Sequence, residues 1–117
     1  MIPSYKIYNL NNVEWNSIRP EFTIKITGKS ILPKEWSDIK LTITKVEPEG
    51  EFPIHKDAYH HIFYFITGNG RLFIEQKQFD IIPNLVVEIP AGLSHGYKNT
   101  GSEEMILLTG NIPVIKI

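Results

Sequence analysis

The sequence predicts an all-β domain, a sandwich or barrel, on three observations. Apolar residues recur at every second position; short β-branched and aromatic runs follow one another at even spacing; turn signals punctuate the gaps between them. No stretch sustains a 3.6-residue period over three turns. At 117 residues the chain can bury one core and not two, so a single domain over 1–117 is expected.

The elements follow in order. Residues 1 to about 20 read as an arm, polar around Val13 and Trp15 over Asn9–Ser17. Such an arm is expected to pair with a second subunit in a homodimer. "EFTIKIT" then places Phe22, Ile24 and Ile26 on one face and Thr23, Lys25 and Thr27 on the other. "DIKLTITK" repeats the pattern, with Ile39, Leu41 and Ile43 against Lys40, Thr42 and Thr44. Between these strands, Ser30–Ser37 with its Pro33 has room for one helical turn at most. "HIFYFIT", "RLFIEQ", "LVVEIP" and "EMILLTG" complete the set of runs. Turns are expected at Glu49-Gly50, Gly68-Asn69-Gly70, Pro83-Asn84, Ala91-Gly92 and Asn99-Thr100-Gly101.

Composition narrows the partners. Twelve basic and 13 acidic residues nearly cancel, and no basic run stands out, which argues against nucleic acid and against an anionic membrane surface. The apolar runs are too short for a spanning helix, and Met1–Asn12 lacks the order of a signal peptide. A cytoplasmic protein with a small-molecule partner is expected. With no cysteine, disulfides, thiolate nucleophiles and sulfur-rich metal clusters are excluded. Any transition metal must be held by imidazole and carboxylate, a donor set that suits Mn, Fe, Co, Ni, Cu or Zn.

Those donors are concentrated. "HKDAYHH" carries His55, Asp57, His60 and His61, and the fourth histidine, His95, follows the "PAG" turn. His55, Asp57 and His61 share parity, so they point the same way if the register holds across "KDAY". His60 has the opposite parity and should point away. A lone buried histidine is more often a hydrogen-bonded core residue than a ligand. Burying two imidazoles and a carboxylate together without a shared cation, however, would cost several kcal/mol. Phe63, Phe65 and Tyr97 share parity with the neighbouring histidines and are expected to line a pocket. Gly68-Asn69-Gly70 opens no helix and reads as a turn, and Ser94 lacks the strand-to-helix elbow of a hydrolase nucleophile.

These two segments resemble the paired motifs of the cupins. In the second motif Pro90, Gly92, His95 and Asn99 keep their places, and only its opening glycine is replaced, by Asn84. In the first, Pro53, His55 and Gly68 agree. Glu49 takes its opening glycine position, Asp57 stands where a second histidine is expected, and His61 stands where a glutamate is expected. The resemblance covers Glu47 to about Thr109. It implies a single jelly-roll barrel with a metal held by His55, Asp57, His61 and His95, three imidazoles and one carboxylate. Compact cupins with histidine in the glutamate position bind manganese through an all-histidine site, and this chain is similar to them apart from Asp57.

Aspartate reaches less far than imidazole, while metal–ligand bonds must close to about 2.0–2.2 Å. Asp57 is therefore expected to coordinate directly only if its backbone moves inward, and otherwise to hold a water or a ligand histidine. The resemblance implies a metal-dependent small-molecule enzyme, Mn or Fe, such as a dioxygenase-type oxidoreductase. A non-catalytic ligand- or metal-binding module and a sugar isomerase or epimerase stand as alternatives.

Overall fold

The computed structural model describes residues 3–116; Met1, Ile2 and Ile117, at the ends of the expected arm and domain, lie outside the described residues. Nine strands account for most of the chain: β1 (Asn16–Ser17), β2 (Ile24–Ser30), β3 (Lys40–His55), β4 (His60–Thr67), β5 (Gly70–Ile74), β6 (Lys77–Ile81), β7 (Leu85–Ile89), β8 (His95–Asn99) and β9 (Met105–Ile112). Leu10–Asn12 forms a single 3₁₀ turn. Among the described residues no helix is long and apolar enough to cross a membrane.

Every strand pairing is antiparallel, and the order β6-β5-β8-β3-β9-β4-β7 wraps into the jelly-roll barrel of the cupins. β3 is the central strand. Its first half pairs with β2 and β9, and its second half pairs with β8. Between the halves the chain bends: Ile26 faces Val46 while Ile24 faces Glu51, so residues 47–50 bulge out of register. Glu49 adopts the left-handed conformation here, at φ 70°. A Cβ at the following Gly50 would stand 2.7 Å from the Val46 side chain and 2.8 Å from the Glu47 carbonyl, so the bend closes only around a glycine.

The core lies under one half of the barrel: Ile26, Val46, Phe65, Leu72, Ile81, Ile89, Met105 and Leu107 are all buried. Asn99 is buried with them and ties three segments together. Its Nδ2 donates to the carbonyls of Val46 and Glu103, both at 2.9 Å, and its Oδ1 accepts from the Gly101 amide at 2.9 Å. This is a structural task, the tying of a buried turn.

Two alternations come out differently from their sequence pattern. In β2 the bulge and the left-handed Lys25 (φ 54°) break the period, so Ile26 is buried and Ile24 is 48% exposed. In β3 the polar set faces inward: Lys40, Thr42 and Thr44 border the barrel cavity, while Ile39 lies on the surface. The interior at that end is a polar cavity, so the inward face carries hydroxyls. Residues 33–36 form only a turn, closed by the Trp36 amide on the Pro33 carbonyl at 3.2 Å.

The end of the arm pairs within the chain. Asn16 and Ser17 pair with Gly28 and Thr27 of β2. Trp15 sits between two ammonium groups, Lys29 Nζ at 4.3 Å and Lys45 Nζ at 4.4 Å from the ring centre. Lys29 is buried and also donates to the Leu10 carbonyl at 2.6 Å.

Candidate metal centre

The cluster is assembled from three strands and one loop. His55 ends β3 directly opposite His95, which begins β8, and their ring centres are 4.5 Å apart. His61 enters from β4, with its ring 4.7 Å from that of His95. Asp57 lies in the loop between β3 and β4, so strand parity does not place it. The Gly92 amide donates to the Asp57 carbonyl at 2.9 Å and pulls this loop toward the turn before β8. That inward step offsets the short reach of the aspartate. His60 stands outside the cluster, where its Nδ1 accepts from the Ala91 amide at 2.9 Å.

One donor atom from each of His55, Asp57, His61 and His95 lies within 4.8 Å of all the others, so the four together could hold a metal ion. The outer nitrogens show why. His55 Nδ1 is 2.8 Å from the Pro53 carbonyl, His95 Nδ1 is 2.8 Å from the Leu93 carbonyl, and His61 Nδ1 is 3.0 Å from Asn111 Oδ1. These oxygens only accept, so each Nδ1 carries a proton, and a ring without a second proton turns an Nε2 lone pair inward.

The inner contacts then test the fit. Asp57 Oδ2 lies 2.8 Å from His55 Nε2, 2.8 Å from His61 Nε2 and 3.8 Å from His95 Nε2. Lone pairs facing a carboxylate at that distance repel unless a cation, whether metal ion or proton, sits among them. Donors bonded at about 2.1 Å around one divalent ion stand about 3 Å apart along a coordination edge, which matches the two shorter spacings. His95 supplies the sharper sign: its Nε2 is buried with no hydrogen-bond partner. An orphaned buried nitrogen is costly in a folded protein and is explained by a bound ion.

Ion and proton compete for the same ring nitrogens. In the metal-free cluster a proton on the ring nitrogens takes the cation's part: burial pushes the Asp57 carboxyl up, but the hydrogen bond from protonated His61 and the positive charges of protonated His55 and His61 outweigh it and hold the group below its ordinary range. Burial pushes His95 below the ordinary histidine value, and the neighbouring His61 and His55 add to it against the pull of the Leu93 carbonyl. Carboxylate and neutral imidazole are the forms that bind metals.

Above the cluster opens a cavity of about 280 Å³. Phe63 and Tyr97 border it, together with Phe52 from β3. Phe65 does not: it is fully buried one layer deeper, edge-on to Phe63 and Tyr97 at 6.0 and 5.9 Å, because the core and not the cavity fills the barrel at its level. Burial also raises the Tyr97 phenol well above its usual range, so it stays protonated. Burial and then the nearby Asp57 charge raise the Tyr59 phenol as well.

Sequence reasoning missed other lining residues: Arg19, Lys40, Thr44, Tyr59, Thr109 and Asn111. Asn111 faces His61 across the β4–β9 pairing, which only the register reveals. Glu88 is exposed and takes no part in the cluster, and Trp36 is 76% exposed.

Comparison with known proteins follows the same lines. The family model described as "Cupin domain" matches residues 42–110, more than half of the chain. Auxin-binding protein 1 of Arabidopsis thaliana is 28% identical over 90 residues, 68% of this chain and 46% of that protein. The chain thus spans about half the length of this curated relative. A predicted oxalate decarboxylase from Thermotoga maritima superposes with a TM-score of 0.80 at 19% identity, covering 93% of this chain and 100% of that one. The polyketide cyclase RemF from Streptomyces resistomycificus gives 0.80 at 19% identity, covering 97% and 88%. The cupin domain of Schizosaccharomyces pombe Cnp3 gives 0.76 at 18%, covering 92% and 73%. At these identities the likeness is one of fold.

Proposed function

This chain belongs to the cupin family, and from that premise we propose that it is a metal-dependent enzyme acting on a small chelating molecule, with manganese or iron as the ion and dioxygenase-type oxidation as the reaction class. The observation that carries the reading is the inward convergence of three Nε2 lone pairs, one of them buried without a partner. His55, His61, His95 and Asp57 would hold the ion. When bound, it would supply a Lewis-acid or redox centre at the floor of the cavity.

The protein's own part is definable residue by residue. The Pro53, Leu93 and Asn111 oxygens fix the imidazole tautomers and ring directions. Phe52, Phe63 and Tyr97 exclude water from part of the cavity and offer apolar ring surface to a bound molecule. Three neutral imidazoles leave a divalent ion with more of its charge than several carboxylates would, which favours anionic chelators.

A non-catalytic binder is the second reading. The Arabidopsis relative is named for binding a small molecule, and Asp57, the one carboxylate of the cavity, is committed to the histidine cluster. Metal analysis of the purified protein is the first test: without a first-row metal bound tighter than about micromolar, both enzyme and metal readings fall. Oxygen consumption by the Mn- and Fe-loaded protein, screened against small enolates and catechols, then separates enzyme from binder.

A further inference from the structure

The cavity is asymmetric in charge and in chemistry. Among its described lining residues two side-chain cations, Arg19 and Lys40, stand against the single carboxylate of Asp57 before any metal is counted. Arg19 is held in place from several sides. It adopts the left-handed conformation at φ 44°, and its carbonyl accepts from the amides of Phe22 at 2.8 Å and Thr23 at 2.9 Å. Such a conformation strains a side-chain-bearing residue and recurs at ligand sites. Its guanidinium carbon lies 4.7 Å from the Phe22 ring centre and 5.7 Å from that of Phe52. Nη1 forms a long ion pair with Asp57 Oδ1 at 3.9 Å, beyond hydrogen-bond distance, so the planar fork stands beside the metal cluster without hydrogen-bonding its carboxylate. The arm that carries it is itself pinned by Trp15 between Lys29 and Lys45.

The lining is of two kinds. Phe52 and Tyr97 are partners on β3 and β8, while Thr42, Thr44, Thr109 and Asn111 lie on the first half of β3 and on β9, with Phe63 of β4 directly beside Thr109. Thr44 and Thr109 share a 3.1 Å hydrogen bond between their hydroxyls. A hydroxyl both donates and accepts, so this pair retains capacity that a ligand hydroxyl, with the same dual character, can match. The volume of about 280 Å³ falls just under the range of about 300–1,000 Å³ that accommodates drug-sized molecules. The occupant is small.

Resting on the metal reading, we propose that the ligand is a small hydroxylated carboxylate. Arg19 takes its carboxylate next to the ion, the Thr44–Thr109 wall takes its hydroxyls, and its C–H face lies on Phe52 and Phe63. Guanidinium and carboxylate match as a planar fork, and a site built for hydrogen bonds rejects analogues that lack the groups. Arg19 is then a specificity residue delivered by the N-terminal arm.

Three probes of one size separate the contributions: glycerate has carboxylate and hydroxyls, glycerol lacks the carboxylate, and propionate lacks the hydroxyls. Titration calorimetry on Mn(II)-loaded protein should show glycerate binding at least about tenfold tighter than either. Arg19→Gln should remove most of the advantage over glycerol, and Thr44→Val most of the advantage over propionate, both with Mn(II) still bound by its spin-resonance signal. Glycerate binding no tighter than glycerol, or unchanged by Arg19→Gln, overturns the proposal and leaves the metal reading standing. Failure of the wild type to bind Mn(II), or any first-row metal, removes both.

Discussion

His61 and Asn111, 50 positions apart in the chain, meet through a 3.0 Å hydrogen bond between Nδ1 and Oδ1. The contact joins neighbouring strands and decides which nitrogen of His61 faces the cluster. Asn111→Leu should free the ring to rotate or change tautomer, lowering Mn(II) affinity by about 10–100-fold, while Asn111→Asp restores it. Competition titration with a chelating indicator reads the difference. Equal affinities for wild type and Asn111→Leu would show that the ring is fixed by packing alone.

The four donors should not contribute equally. His61→Ala and His95→Ala should each abolish most of the metal affinity, because each removes a convergent imidazole from a buried set. Asp57→Ala should cost less, since water can take a carboxylate's place at a loop. The thermal readout is independent of activity: metal at about 100 times Kd should stabilise the wild type by about 2.7 kcal/mol, and a chelator should reverse it. The gain should vanish in His95→Ala and shrink in Asp57→Ala. Equal losses in all three would make Asp57 as direct a ligand as the histidines.

Acid should weaken the metal-free protein in two stages. Burial depresses His95 below its ordinary 6.5, so between that value and its folded one the unfolded chain binds more protons. Its contribution is therefore complete above pH 6.5 and is lost as the pH falls toward the folded value. Asp57 is also depressed, from an ordinary 3.8, so its contribution is present above that and lost as the pH falls through its folded value. Urea unfolding from about pH 8 to about pH 5 should show a falling stability that is flatter in His95→Gln. Identical slopes would assign the acid sensitivity elsewhere.

Two glycine positions of the cupin motifs are filled by other residues, and both are left-handed: Glu49 at φ 70° and Asn84 at φ 72°. Asparagine tolerates that conformation, and glutamate is strained in it. The Lys25–Glu49 ion pair, at 3.9 Å and largely exposed, adds little to hold it. Glu49→Gly should stabilise the protein by about 0.5–1 kcal/mol, the relief of strain exceeding the added chain entropy. Asn84→Gly should be neutral or slightly destabilising, since Asn84 Oδ1 also accepts from the Tyr64 hydroxyl at 3.2 Å. Chemical denaturation of the two variants gives the comparison.

What was legible in the sequence follows a physical line. The barrel showed because period-two runs and turn residues are local, and His55, His61 and His95 showed because motif spacing is local too. Asp57 was named for the wrong geometric reason: β3 ends at His55, and a loop hydrogen bond from Gly92, not strand parity, brings the carboxylate inward. The strand "KQFDI" went unread because four of its five residues are exposed and it pairs only with β5, leaving no half-buried alternation. Arg19 and Asn111 could not be read at all. One depends on a strained turn in the arm and the other on a register between distant strands.

β3 has a consequence for how this cavity can change. Thr42 and Thr44 stand on one side of the bend at Glu49-Gly50, and Phe52 and His55 on the other, and all four border the same space. The opposing walls are thus one ribbon folded on itself like a pair of tweezers. A substitution at the fold of that ribbon would widen or narrow the gap without altering any residue that meets the occupant. Size selection and chemical recognition are separately adjustable in this barrel.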